Sequence, residues 1–136
     1  MLVLSALAVG IIGTIVLTVK GIRATAASGP RGLVLLGFAV GLGLYTWGLF
    51  FVMLADAGNG GADSVPPPSC RNDSRALHVT STDISFVPLR VECRLASGGQ
   101  YSSDDVPGYV NPGAFGAALA STLAAVLVKA RDRQSP

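Results

Sequence analysis

Charge is what this chain has least of. Asp, Glu, Lys and Arg make up 13% of its 136 residues, where soluble domains run near a quarter. The shortfall is local: residues 2–19, 33–55 and 106–128 hold no charged side chain. Runs of that length argue against soluble core helices. They suit a bilayer, which takes about 20 mostly apolar residues per helix. The same runs lack histidine, so they offer no intramembrane relay of the kind that pumps and proton-coupled transporters use. The net charge of +2 is too small to argue for nucleic acid.

Catalytic residue types are scarce too. His78 is the single histidine and no Gly-x-Ser-x-Gly occurs, which leaves a serine hydrolase without its usual elbow. Cysteine is limited to Cys70 and Cys93, with no Cys-x-x-Cys, the usual low-pKa arrangement of thiol exchange. Their spacing with His78 matches no zinc pattern, so no metal and no cofactor are expected. Asp104 and Asp105 are neighbours in a loop and read as a solvated turn. Asn72–Ser74 fits a glycosylation acceptor, relevant only in a eukaryotic secretory pathway.

What is present is a pattern of three spans. Residues 2–19 form the first and 32–55 the second, roughly 27 and 36 Å long at 1.5 Å per residue. The third covers 111–128, with Asn111 as N-cap, Pro112 at the first helical position and Tyr109 suited to the interface. The link at 20–31 carries Lys20, Arg23 and Arg31 and no acid, and the tail at 129–136 carries Lys129, Arg131 and Arg133. Both belong in the cytoplasm by the positive-inside rule. The N-terminus and residues 56–110 then lie outside. A cleaved signal peptide ending at Ala24–Ala26 is the competing reading. It requires positive charges before the apolar run, and here they follow it.

Residues 56–110 read as a small extracytoplasmic cap. A Gly- and Pro-rich linker over 56–69 leads to Cys70, and Cys93 follows 23 positions later. Two cysteines on the oxidising face are most simply one disulfide. Closing that loop is worth roughly 3 kcal/mol in the chain-entropy model, which matters for a fold of about 50 residues. In the stretch from Ser85 to Leu95, Val87, Leu89, Val91, Cys93 and Leu95 alternate with Pro88, Arg90, Glu92 and Arg94. That alternation predicts a strand. Ser97–Gly99 is a turn signal, Gln100–Ser103 a returning partner, and Ala76–Thr82 a second, weaker strand. His78 reads as an ordinary polar residue of that strand.

Small residues recur in the spans. Gly37, Gly41 and Gly48 mark one stripe, Gly116, Ala120 and Ala124 another, and Ala6 and Gly10 a third. Such stripes let helices approach closely in lipid. They serve packing of the three spans on one another, or a surface for a partner or a second copy. The run Tyr45–Phe51, with Tyr45, Trp47, Phe50 and Phe51, is the candidate partner-contact face.

The stretch FVPLRVECRLASGGQYSSDDVPGYVNP, within residues 70–113, resembles small, mostly uncharacterised actinobacterial integral membrane proteins with a two-Cys extracytoplasmic segment. The resemblance implies a bacterial cell-envelope setting, and neither an activity nor functional residues. An excess of Arg over Lys, with abundant Ala and Gly, points the same way. The expectation is an α-helical membrane protein of three transmembrane helices with a disulfide-stapled β-rich cap. It is a non-enzymatic accessory or interaction subunit in the cell membrane, whose partners are the lipid bilayer and another membrane protein or itself. The alternative is a transport or envelope-sensing component with the cap as ligand binder.

Overall fold

A computed structural model describes residues 2–59 and 68–134. Its elements are α1 (Leu2–Ser28), α2 (Pro30–Asn59), β1 (Val79–Phe86), β2 (Leu89–Leu95), β3 (Gln100–Ser102) and α3 (Val110–Gln134), with short 3-10 turns at Pro68–Cys70 and Ala76–His78. Three helices are long and apolar enough to cross a membrane: Leu2–Ala27, Pro30–Ala57 and Val110–Gln134. All three exceed the spans drawn from charge alone. The expected loop at 20–31 is almost entirely helical, because a Lys or Arg ends an apolar run without ending a helix. The reversal is confined to Gly29, at φ +46°, a left-handed conformation that costs glycine nothing. Pro30 then opens α2 with its φ already helical. Of the expected linker over 56–69, Asp56–Asn59 is the end of α2, and residues 60–67 lie outside the described residues.

α2 runs between α1 and α3. A Cβ on Gly10 would strike Thr46, one on Gly21 would strike Leu36, and one on Gly37 would strike Ser121 Oγ. The close approach on both sides of α2 thus rests on small residues. Hydroxyls inside the helices are satisfied locally. Thr14, Thr18, Thr46 and Thr122 each donate to the carbonyl four residues back at 2.8 Å. That arrangement leaves none of these four hydroxyls in need of water.

The sheet is antiparallel, in the order β1-β2-β3. Leu89, Val91 and Cys93 are buried on one face of β2, while Arg90 and Arg94 are exposed on the other. There Arg90 pairs with Glu92 and Arg94 with Asp83 on β1, at 2.7 and 2.5 Å. Two boundaries differ from the alternation. The hairpin turns at the cis Val87–Pro88 peptide, so Val87 is 74% exposed and belongs to no strand. Proline has no N–H to give a ladder, so it closes the turn and β2 begins after it. β1 covers Val79–Phe86 rather than Ala76–Thr82, and Ala76–His78 forms a 3-10 turn. Cys70 and Cys93 form the disulfide, with Cα atoms 6.1 Å apart. They cluster with Val79, Leu95 and Tyr101.

A second cluster joins sheet to helices. Leu89 and Val91 pack with Val3, Leu49, Val52 and Val110. Asn111, expected as an N-cap, lies inside the first turn of α3. Its side chain pairs with a strand: Leu89 N–H donates to Oδ1 and Nδ2 donates to Leu89 C=O, both at 2.9 Å. Tyr45 Oη donates to Phe86 C=O at 2.7 Å. The hairpin end is thereby tied to both α2 and α3.

Asn111→Ala leaves both polar groups of a fully buried residue without partners, a cost of about 1–3 kcal/mol. Limited trypsin digestion in micelles should cleave after Arg90 and Arg94 at least about fivefold faster in this variant. Arg90→Lys, which keeps the charge that faces the half-buried Glu92, should match the parent.

Candidate functional site

The face formed by α1 and α2 on their halves nearer the sheet is the candidate site. Leu7, Ile11 and Ile15 from α1 and Gly43, Trp47 and Phe50 from α2 line a groove of about 320 Å³. Thr14 and Thr46 also border it, but their hydroxyls are committed to their own helices, so the lining is effectively apolar. Trp47 stacks on Phe50, with centroids 5.9 Å apart, and meets Phe51 edge-on at 5.3 Å. Its indole N–H donates to Tyr109 Oη at 3.3 Å. Trp47 is nonetheless 49% exposed.

The four aromatic residues expected to act together are split by helix geometry. Trp47, Phe50 and Phe51 are spaced i, i+3 and i+4 and share a face. Tyr45 is two residues from Trp47, about 200° around the helix. It turns inward to Phe86 and is no part of the exposed face. That separation was readable from the spacing alone. The Trp47–Tyr109 bond also sets Trp47 level with the start of α3, although it lies near the middle of α2's own apolar run.

The small-residue stripes divide in the same way. Gly37, Gly41 and Gly48 all face inward, towards Ser121, towards Ala114 and Ala117, and towards Val110 with Leu89. Gly116 faces open space and Ala120 is exposed, with Ala124 half-buried. The stripe of α3 that meets α2 runs instead through Ala114, Ala117, Ala118 and Ser121. α3 is so rich in glycine and alanine that several stripes overlap in its sequence, and spacing cannot choose between them. Of the third stripe, Gly10 meets Thr46 and Ala6 packs on the cluster beneath the sheet.

The sheet carries polar features. An open depression of about 640 Å³ is bordered by Thr80, Ser81, Arg94, Gly98 and Gln100. Near the disulfide, Arg75 lies over the Tyr101 ring at 4.5 Å, and Tyr101 Oη donates to Cys70 C=O at 2.9 Å. Partial burial raises the Tyr101 phenol, and the nearby Asp73 carboxylate adds to that. Arg75 donates through Nε and Nη2 to Asp73 at 2.8 and 2.7 Å. These bonds, together with the Arg75 backbone N–H, hold the Asp73 carboxyl well below the usual carboxylate range. Asp105 accepts from Ser103 Oγ at 2.5 Å within its turn. His78 lies exposed in a 3-10 turn. Among the described residues, no group of three His, Cys, Asp or Glu side chains is arranged to hold a metal ion.

Comparison of the chain with protein-family models, with curated proteins and with solved structures returns no match.

Because its folded pKa is depressed, ionised Asp73 supports this corner of the sheet above the ordinary Asp value of about 3.9. That support is lost as pH falls from there through the lowered folded value. Followed by the carboxyl-carbon shift, Asp73 should titrate well below ~3.9 in the parent and move up towards that value in Arg75→Gln, which keeps only the backbone N–H bond of residue 75. A parent midpoint near the ordinary value would contradict the assignment.

Proposed function

We propose that this chain is a non-enzymatic integral membrane protein of the bacterial cell envelope, an accessory subunit of a larger membrane assembly or of its own oligomer. The observation that carries this reading is the aromatic-rimmed α1–α2 groove. It is the outer face of the bundle that the sheet leaves uncovered, with Trp47 and Phe50 both exposed. In a bilayer, its shape and apolar lining suit another transmembrane helix, from a second subunit or a second copy.

Two features support the orientation, with the N-terminus and sheet outside and the C-terminus in the cytoplasm. Arg31 and Asp132 form an ion pair at 2.6 Å. It brings the turn between α1 and α2 to the same end as the basic tail of α3, as the positive-inside rule requires. The disulfide lies at the opposite end, which suits an oxidising compartment. The outer halves of the helices hold a single charged residue, Asp56 near the end of α2, which supports a role in lipid rather than at a soluble surface.

A photo-reactive residue at Ile11 or Phe50 in native membranes should give a discrete cross-linked species. With the probe at Ile11, the Trp47→Ala, Phe50→Ala double variant should reduce that species at least about tenfold, as loss of an aromatic anchor does. A monomer without adducts from either position would overturn the reading. Reporter fusions test the orientation separately. A fusion within residues 96–104 should report an outside location and one after Gln134 a cytoplasmic one.

A further inference from the structure

We propose that the end of the bundle opposite the sheet binds one anionic glycerophospholipid in the cleft between α2 and α3. The cleft holds about 360 Å³. Its wall is apolar, made by Val34 and Leu35 from α2 and Val128 from α3, and its lip carries Arg31 and Lys129 together with one acid, Asp132. Arg31 Nη2 donates to Asp132 Oδ2 at 2.6 Å. That bond places the guanidinium at the lip, where both side chains stay more than half exposed. Lys129 has no ion-pair partner among the described residues.

Charge complementarity names the occupant. Lys20, Arg23, Arg31, Lys129, Arg131 and Arg133 gather towards this end, and Asp132 is the single acid among them. One carboxylate, already shared with Arg31, leaves a large positive excess. A phosphodiester can accept from Lys129 and from the remaining guanidinium N–H groups, as basic pockets between spans do with lipid headgroups. The acyl chains continue from the phosphate along Val34, Leu35 and Val128 into the bilayer. A small soluble anion would use the lip and leave that wall bare.

This inference rests on the three-span reading, and its test separates the two. The full chain in non-ionic detergent would be examined by native mass spectrometry with phosphatidylglycerol, phosphatidylcholine or glycerol 3-phosphate added. One phosphatidylglycerol should be retained, at least about fivefold better than phosphatidylcholine. Lys129→Gln and Arg31→Gln should each weaken retention about fivefold, the factor one basic residue contributes near an anionic surface. Arg90→Gln, at the other end of the molecule, should leave it unchanged. Equal retention of both lipids, retention unaffected by both variants, or displacement of the lipid by equimolar glycerol 3-phosphate would each overturn the inference. Alkaline carbonate extraction of native membranes supplies the control. Release of the protein would overturn the three-span reading and the lipid site with it. Retention in the membrane without a lipid preference would overturn the lipid site alone.

Discussion

The carboxamide of Asn111 is where the two halves of this structure meet. A side chain on the first turn of α3 completes the hydrogen bonding of Leu89 as a neighbouring strand would, accepting from its N–H and donating to its C=O. Leu89 is fully buried, so both groups require partners. With Tyr45 holding the carbonyl of Phe86, the pairing fixes the depth at which the hairpin meets the helices. The disulfide acts at the far end of the same sheet, where Cys93 ties β2 to Cys70. One device docks the sheet and the other holds it closed.

The position of the sheet follows from the unequal reach of the helices. α3 begins level with Gly48, because Val110 packs against that glycine. α2 continues to Asn59, and the N-terminal end of α1 packs at the level of Leu49 and Val52 through Val3. Beyond the start of α3, two helices are therefore left without a third. The sheet takes that place, covering Leu49 and Val52 on one side. It does not reach the other side, where Trp47, Phe50 and Leu54 stay exposed. The part of the candidate interaction face at Phe50 thus lies beyond the start of α3, while Gly43 and Ile15 lie at the level of that helix. At the opposite end all three helices are present, and what distinguishes that end is its charge.

The parts of this architecture that depend on one strong local signal were legible in the sequence. Uncharged runs located three helices, two cysteines could form one disulfide, and the alternation at Leu89, Val91 and Cys93 marked the buried face of β2. Helix ends were not legible in the same way. The spans were drawn to the first charged residue, whereas the backbone of α1 continues through Lys20 and Arg23 until Gly29 reverses it. Nor could the sequence tell which stripe of α3 packs, since Gly116, Ala120 and Ala124 are as well spaced as the stripe through Ala114 and Ser121. Asn111 carried a misleading signal: its type and position fit a helix cap, and only the arrival of β2 gives it a different partner. Tyr45 was misplaced for another reason, since four neighbouring aromatics were treated as one face although a helix turns about 100° per residue.

The most direct measurement is amide hydrogen exchange on the full chain in micelles, comparing β2 with the half of α2 nearer the sheet. If the sheet is a fixed part of the bundle, the amides of Val91 and Cys93 will exchange as slowly as those of Leu49 and Val52, through a common opening. If β2 exchanges at the rate of an exposed chain while α2 stays protected, the sheet is a loosely tethered cap and the docking through Asn111 is wrong.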